Sequence, residues 1–192
     1  GSIGTQALEV IGASEELRAV GLAAGRGWET TVAQEREHGD ETIALADADA
    51  AAQAAETWDG RVLAGEEGVR ELIAATDPDL VLNGIVGAAG LGSTVFALTA
   101  GIDVALANKE SLVLGGELVM ALAEATGARL LPVDSEHSAL HQLIGSQAPG
   151  TVEKLVLTTS GGPFRGREDL AGVSVEDALA HPTWRMGGRI TI

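Results

Sequence analysis

Short apolar runs alternate with longer amphipathic stretches before residue 134, and this alternation restricts the possible folds most strongly. The apolar runs are residues 18–24, 42–46, 61–64, 79–83, 103–106 and 129–133. The stretches between them that read as helices are residues 29–38, 47–58, 67–75, 93–100 and 110–126. Repeated strand–helix units with right-handed crossovers build a parallel sheet covered by helices. We therefore predict an α/β fold with a doubly wound parallel sheet.

The composition agrees with buried parallel strands. Hydrophobic residues make up 45% of the chain but aromatic residues only 3%, so Ala, Val, Leu and Ile must build the core. Such residues are typical of sheets that helices cover on both faces. The chain also has 26 glycines. Because glycine allows tight turns and close approach of the backbone to a ligand, we expect several of them in loops near a site.

The pattern changes after Asp134, which predicts a second domain. A helix over residues 138–144 is followed by a break, an isolated strand over 154–158, a Gly/Pro segment and a last helix over 175–180. We place the domains at residues 1–133 and 134–192. The chain opens on a glycine turn with no strand before it and closes on a strand-like run. We expect a piece of a longer protein that lacks the first sheet strand.

Charge, cysteine content and hydropathy restrict the partners. The net charge is −16, from 12 Lys and Arg against 28 Asp and Glu. An acidic surface disfavours nucleic acid or an anionic membrane as the main partner, but a phosphorylated small molecule needs only local cations. There is no Cys for a disulfide framework, and no apolar run has the length of a membrane span. We expect a cytoplasmic protein that binds neither nucleic acid nor membranes.

Two segments have features of a dinucleotide site. Gly1-Ser2-Ile3-Gly4 precedes a helical stretch, so its backbone N–H groups and the helix dipole are placed to bind a pyrophosphate. A helix N-terminus without a ligand explains these residues equally well. Arg26, between Gly25 and Gly27, follows the strand predicted over residues 18–24, which is the second strand of such a fold when the missing first strand is counted. NADP-binding domains often place a cation for the 2′-phosphate at this point. The alternative is a solvated loop arginine.

Two further segments follow strands that come later in the chain. Residues 83–94 are rich in glycine, which suits a loop lying against a cofactor or a close contact between helix and strand. Residues 107–112 place Asn108, Lys109 and Glu110 side by side after the strand 103–106. The carboxyl ends of parallel strands are where α/β folds bind ligands. Lys109 suits a phosphate or hydroxyl group and Asn108 an amide partner, whereas solvated charges in a first helical turn are the alternative.

Residues 133–137 carry the clearest metal signal. Asp134 and Glu136 lie two positions apart at a strand end and can direct oxygens at one ion. Oxygen ligands without cysteine favour Mg²⁺ or Mn²⁺ over Zn²⁺. A pair of acids capping the next helix is the alternative interpretation. His137 and His141 have a spacing that can bind zinc on a helix, but His141 is as readily explained as a surface residue.

The last two segments are loops. Ser160 precedes two glycines and a proline after the predicted strand 154–158, and such a turn can bind an anion. Residues 181–188 contain His181, Trp184 and Met186 and end on Gly187 and Gly188. Bulky apolar side chains with a glycine end are typical of a lid that excludes water, although a plain surface loop fits too.

Taken together, these segments resemble the 1-deoxy-D-xylulose 5-phosphate reductoisomerase family. The matching segments, in the family's order, are residues 1–6, 85–91, 107–113, 131–137, 160–165 and 181–192. The resemblance implies a Rossmann-like NADPH-binding domain followed by the start of an α+β catalytic domain. It also implies an NADPH- and metal-dependent enzyme, homodimeric when full length, that uses Mg²⁺, Mn²⁺ or Co²⁺. This chain alone is expected to be inactive.

The resemblance assigns roles to particular residues. The cofactor contacts it implies are Gly1, Ser2, Ile3, Gly25, Arg26, Gly27, Asn108, Glu110 and Gly187. The substrate contacts are Lys109, Ser135, Glu136, Ser160 and His181, with Trp184 and Met186 in the loop over the substrate. Asp134 and Glu136 match two of the family's three metal-binding carboxylates. Together with Lys109 they also match its catalytic residues. The third carboxylate belongs to a family segment beyond Ile192. Gly27, where the family usually has Asn, and the charged Arg185 depart from the family pattern.

The implied reaction rearranges the carbon skeleton of 1-deoxy-D-xylulose 5-phosphate and reduces the resulting aldehyde. The product is 2-C-methyl-D-erythritol 4-phosphate, in non-mevalonate isoprenoid precursor synthesis. Two alternatives remain from the residues themselves. Another NAD(P)-dependent oxidoreductase, such as a homoserine-dehydrogenase-like enzyme, explains the strand–helix units but not residues 133–137 or 160–165. A non-catalytic dinucleotide-binding fragment is the second alternative.

Overall fold

A computed structural model describes residues 1–39, 41–158 and 161–182. The chain divides into two compact units, Gly1–Asp134 and Ser135–Ile192. We call them the first and second units. No helix among the described residues is long and apolar enough to cross a membrane.

The first unit alternates strands and helices as the sequence predicts. Its strands are β1 (Leu22–Ala24), β2 (Thr42–Leu45), β3 (Arg61–Ala64), β4 (Leu80–Asn83), β5 (Asp103–Leu106) and β6 (Leu130–Pro132). Its helices are α1 (Ser2–Gly12), α2 (Trp28–His38), α3 (Ala48–Thr57), α4 (Gly65–Thr76), α5 (Gly90–Thr99) and α6 (Glu110–Thr126), and a 3₁₀ turn over Gly87–Ala89 precedes α5. All pairings among these strands are parallel. The predicted α/β class with parallel strands is confirmed.

The strands form two three-stranded sheets, β1-β2-β3 and β4-β5-β6. In register, Leu22 lies opposite Ile43, and Val81 lies opposite Val104. Helix α4 links the sheets, because it leads from β3 to β4 and its Val69 and Leu72 share a buried cluster with strand residues. In that cluster, Ala44 and Leu63 come from β2 and β3, and Ile85 packs against it from the segment after β4. We call these residues the α4 cluster.

Each sheet also has a larger core of its own. The core around β2 combines Ile43 and Leu45 with the α3 alanines and Val32. The core around β5 combines Val104 and Leu106 with Leu98 of α5 and Val119 of α6. Small alanines let α3 approach its sheet closely, which fits a chain with so few aromatic residues.

Local sequence explains several helix boundaries in the first unit. Asp47 caps α3, because its side chain accepts a hydrogen bond from the backbone N–H of Ala50 at 3.1 Å. Helix α6 ends at Gly127, whose φ of 76° is a left-handed conformation that favours glycine. Within α6, Gly115 interrupts the helical geometry where Leu91 of α5 approaches closely. A side chain at Gly115 would meet Leu91 at 3.0 Å.

The second unit contains two helices in its described part, α7 (Ser135–Gly145) and α8 (Val175–Leu179). Helix α7 begins earlier than the predicted residue 138, so Ser135 and Glu136 lie in its first turn. Helix α8 starts with a capping box between Ser174 and Asp177. The predicted strand over residues 154–158 is wrong, since these residues adopt no regular structure. An apolar run needs a neighbouring strand to hydrogen-bond with, and no described strand pairs with this one.

Candidate active site

The loops after β4, β5 and β6 meet at the carboxyl edge of their sheet. The carbonyl of Asn83 accepts hydrogen bonds from the N–H groups of Ala107 and Asn108, both at 3.0 Å. The carbonyl of Leu106 accepts from the N–H groups of Val133 and Asp134, at 2.9 and 3.3 Å. Backbone hydrogen bonds thus join the three strand ends that carry the predicted site residues.

The N-terminus of α1 lies beside the same edge. Ile3 packs on the loop after β4, because a Cβ at Gly84 would lie only 3.3 Å from Cγ2 of Ile3. Helix α1 has Gly1 as its N-cap and no side-chain cap, so its first N–H groups have no partner from a capping side chain. No atom lies within 4 Å of a Cβ placed at Gly1 or Gly4. This open helix start suits an anionic group.

Arg26 lies in the loop between β1 and α2, next to the end of β2. Its Nε donates to Oδ2 of Asp47 at 2.7 Å, while the Arg26 side chain is 86% exposed. The N–H of Ala50 and the Arg26 guanidinium hold the pKa of Asp47 below its usual range. Gly25 and Gly27 have open space beside them. The Arg26 guanidinium is therefore exposed, while its Nε is held by Asp47 in the turn between β2 and α3.

Asn108 is buried, with 2% exposure. From its position in the sequence we expected its amide to face a ligand. Its Nδ2 has three acceptors within hydrogen-bond distance, the carbonyls of Ile85 and Gly87 at 2.6 and 3.0 Å and Oε2 of Glu110 at 3.0 Å, which share its two hydrogens. Its Oδ1 accepts from the N–H of Ser111 at 2.9 Å. The side chain of Asn108 thus joins the glycine-rich loop to the start of α6.

Lys109 and Asp134 form an ion pair at the ends of β5 and β6. Nζ of Lys109 lies 2.6 Å from Oδ2 of Asp134, and the side chains are 53% and 9% exposed. Lys109 is exposed enough to reach a ligand as well. The structure thus brings together Lys109 and Asp134, which the sequence places in two separate candidate segments.

Ser135 and Glu136 belong to α7 of the second unit. The hydroxyl of Ser135 donates to Oε2 of Glu136 at 2.9 Å. Within the described ranges, no group of three or more His, Cys, Asp or Glu side chains is placed to hold a metal. His137 and His141 are also on α7 and belong to no such group. Asp134 and Glu136, a pair of carboxylates, stay a prediction as metal ligands.

The predicted loop residues are described only in part. Gly161 and Gly162 have positive φ angles of 81° and 67°, and the Arg165 side chain lies against Gly161. His181 follows α8, and its N–H donates to the carbonyl of Leu179 at 3.0 Å. Four predicted site residues lie outside the described residues: Ser160, Trp184, Met186 and Gly187.

Sequence reasoning missed three polar residues behind the glycine-rich loop. Asn83, Thr94 and Ser111 are 2%, 0% and 0% exposed, and they are linked by hydrogen bonds. A signal was available, since each lies on or beside an otherwise apolar strand or helix. A buried polar residue in such a place needs a partner. The sequence does not reveal that the partners are one another.

Two family models match most of the chain, and curated relatives align with all of it. The model described as 1-deoxy-D-xylulose 5-phosphate reductoisomerase matches residues 1–116, and the model of the C-terminal domain of that enzyme matches residues 130–192. A reductoisomerase of this name from Symbiobacterium thermophilum is 51% identical over 202 aligned residues, which cover 100% of this chain and 52% of the relative. The chain spans about half the length of the curated relatives it matches.

Solved structures agree with the sequence matches. A DOX-P reductoisomerase crystallised with NADPH, fosmidomycin and magnesium superimposes with a TM-score of 0.85 at 36% identity, covering 100% of this chain and 51% of the other. The Zymomonas mobilis enzyme in complex with NADPH gives 0.83 at 33% identity, covering 95% and 49%. The homoserine-dehydrogenase-like alternative has no support from these matches. The chain belongs to the 1-deoxy-D-xylulose 5-phosphate reductoisomerase family.

Proposed function

We propose that the full-length protein carrying this chain converts 1-deoxy-D-xylulose 5-phosphate to 2-C-methyl-D-erythritol 4-phosphate, using NADPH and a divalent metal. Family membership supports this reaction. The observation that carries the proposal is the Lys109–Asp134 ion pair, at 2.6 Å, beside the glycine-rich loop at the carboxyl edge of β4, β5 and β6. We further propose that the protein is a cytoplasmic homodimer.

The first unit fits NADPH through three features. The uncapped start of α1, with open space beside Gly1 and Gly4, suits the pyrophosphate. Arg26 is exposed where the 2′-phosphate of an NADP-type cofactor lies in such folds. We assign Glu110, whose Oε2 accepts from the Asn108 amide beside the glycine-rich loop, to the nicotinamide half. When bound, NADPH supplies the hydride for the reduction.

The acidic residues fit a hard divalent cation. Asp134 and Glu136 supply oxygen ligands, and the chain has no cysteine to favour a softer metal. Mg²⁺, Mn²⁺ or Co²⁺ bound there acts as a Lewis acid on neighbouring substrate oxygens. Lys109 neutralises the Asp134 carboxylate and can donate a hydrogen bond from Nζ to a substrate hydroxyl. We assign Ser135, Ser160 and His181 to substrate binding, with Trp184 and Met186 over the site and Gly187 at the cofactor.

Replacing Asp134 in the full-length enzyme tests the metal role. We expect Asp134→Asn to weaken Mn²⁺ binding and reduce turnover about 100-fold, because a neutral amide is a poorer ligand and leaves Lys109 unneutralised. The measurement is the rate of NADPH oxidation with 1-deoxy-D-xylulose 5-phosphate as Mn²⁺ is varied. Asp103→Asn is the matched control, since Asp103 also pairs with a cation, Arg129, but at the opposite end of β5. Unchanged activity of Asp134→Asn at both limiting and saturating Mn²⁺ would exclude the role.

Replacing Arg26 tests the cofactor assignment. We expect Arg26→Ala to reduce the preference for NADPH over NADH about tenfold, because the exposed guanidinium interacts with the 2′-phosphate that NADH lacks. The measurement is kcat/KM for each cofactor. Arg61→Ala removes another exposed ion-paired arginine, whose partner is Glu71, and should leave the preference unchanged. If Arg26→Ala changes both cofactors equally, the assignment is wrong.

A further inference from the structure

Four buried polar side chains form a continuous chain of hydrogen bonds behind the glycine-rich loop. Nδ2 of Asn83 donates to Oγ1 of Thr94 at 2.8 Å, and Oγ1 of Thr94 lies 3.1 Å from Oγ of Ser111. Oγ of Ser111 lies 2.5 Å from Oδ1 of Asn108. We call Asn83, Thr94, Ser111 and Asn108 the buried relay. It crosses from the end of β4 through α5 to the start of α6.

Backbone groups at the two ends of the buried relay fix the orientation of its two Asn side chains. The N–H of Ile85 donates to Oδ1 of Asn83 at 3.1 Å, and the N–H of Ser111 donates to Oδ1 of Asn108 at 2.9 Å. Since a backbone N–H can only donate, neither amide can be turned around. Both Asn side chains therefore have a defined orientation.

The Ser111 hydroxyl has a defined direction. Oδ1 of Asn108 can only accept, so Ser111 donates its single hydroxyl hydrogen there. Thr94 accepts from Asn83, and its own hydroxyl hydrogen has two acceptors within reach, the Gly90 carbonyl at 3.3 Å and Oγ of Ser111 at 3.1 Å. Donation therefore runs from Asn83 to Thr94 at one end of the relay and from Ser111 to Asn108 at the other. Hydrogen bonds arranged head to tail polarise one another, which strengthens each of them in a buried setting.

The relay ends on a side chain assigned to the cofactor. Nδ2 of Asn108 donates to Oε2 of Glu110 at 3.0 Å. The same amide group holds the carbonyls of Ile85 and Gly87, so the glycine-rich loop and the Glu110 carboxylate are oriented together. Because a Cβ at Gly90 would lie 2.6 Å from Cγ of Asn108, only glycine at position 90 leaves room for this arrangement.

We propose that Thr94 and Ser111 are positioning residues, which orient Glu110 and the glycine-rich loop towards the nicotinamide half of NADPH through the Asn108 amide. This rests on the proposed function, since it assumes that Glu110 contacts the cofactor. Thr94 and Ser111 are both fully buried and do not reach the ligand themselves. The Ser111 N–H sets which way the Asn108 amide points, and the Thr94 and Ser111 hydroxyls act by holding Oδ1 of that amide in place.

Thr94→Val in the full-length enzyme removes the hydroxyl while keeping the branched shape of the side chain. We expect the Kd and KM for NADPH to rise about tenfold, which corresponds to 1.4 kcal/mol, because Asn83 and Ser111 each lose a buried partner. The affinity for Mn²⁺ should not change. Thr94→Ser restores the hydroxyl and should bring the NADPH affinity back. Binding is measured by NADPH fluorescence and KM by initial rates, alongside the thermal midpoint Tm.

Thr99→Val is the matched control. Thr99 is on the same helix as Thr94, and the hydroxyl of each can donate to the carbonyl four residues earlier. Unlike Thr94, Thr99 is exposed and lies outside the relay. It should leave the NADPH affinity unchanged. If Thr94→Val lowers Tm and leaves the NADPH Kd and KM as they were, the relay has only a structural role and the proposal is overturned.

A double-mutant cycle covers the case in which Thr94→Val does not fold. Ser111→Ala and Glu110→Gln are made singly and together, and NADPH Kd is measured for each. If Ser111 acts through Glu110, its replacement should cost clearly less in the Glu110→Gln background. Additive effects would overturn the proposal. If the unsubstituted enzyme binds no NADPH, the proposed function fails instead, and the two failures are therefore distinguishable.

Discussion

The two units of the chain differ in how much of their apolar surface they bury. The first unit encloses fully buried residues such as Ile43, Leu98 and Val104, whereas no described side chain of the second unit is buried. In the described part of the second unit, large apolar residues such as Leu143, Val156 and Leu157 are exposed. Because burial of apolar area is the main stabilising contribution to folding, the first unit has its own source of stability. Substitutions should therefore have very different effects in the two units.

Matched leucine substitutions give the largest expected contrast. Leu98→Ala empties a site with 0% exposure in the core around β5 and should cost about 2–5 kcal/mol of unfolding free energy. Leu157→Ala changes a side chain that is 57% exposed and should stay within about 0.5 kcal/mol. Urea unfolding of the 192-residue chain measures both. A comparable loss for Leu157→Ala would show that the second unit buries this residue in solution, and the contrast would break down.

Matched helix glycines give the next largest effect. In Gly90→Ala the new methyl group would meet the buried Asn108 amide at 2.6 Å, so we expect a loss of about 1–3 kcal/mol. Gly145 at the end of α7 has no atom within 4 Å of its ideal Cβ, so Gly145→Ala should be neutral or stabilising by up to about 1 kcal/mol. The urea midpoint of each variant checks this. A destabilising Gly145→Ala would reveal packing around α7.

The smallest expected effects are pKa shifts at two helix caps, one in each unit. The N–H of Ala50 and the Arg26 side chain lower the pKa of Asp47, and the N–H and hydroxyl of Ser174 lower that of Asp177, from an ordinary value of 3.8. Since a lowered carboxyl pKa stabilises the folded state above the unfolded value, this stability is lost as pH falls below 3.8 through the folded-state pKa. Carbon NMR titration of each carboxyl measures the two values.

Two variants sharpen the comparison between the caps. Ser174→Ala should raise the pKa of Asp177 only in part, because the backbone N–H at position 174, the larger cause of the lowered pKa, remains in alanine. Arg26→Ala should leave Asp47 partly lowered, because the Ala50 N–H is the larger cause there. An Asp177 that titrates at 3.8 in the unsubstituted protein would mean that the capping box of α8 does not form in solution.

The sequence predicted what depends on local pattern and missed what depends on distant partners. The strand 103–106 and the helix 110–126 were predicted with their observed boundaries, because apolar periodicity and the flanking polar residues define both. Residues 154–158 have the composition of a strand but lack a strand partner, which local pattern does not reveal. Asn108 was expected to face a ligand. Its burial depends on Ile85, Gly87 and Ser111, which meet it only in the folded chain.

The small α4 cluster has a consequence for how the first unit opens. The core around β2 and the core around β5 are separate, and in the α4 cluster Ile85 from one half packs against residues of β2, β3 and α4. Regions with independent cores exchange their amide hydrogens as independent cooperative segments. We therefore expect the backbone amides around Arg26 and those around the relay to exchange at different rates. Under the proposed function, the two ends of NADPH would then contact segments that open separately.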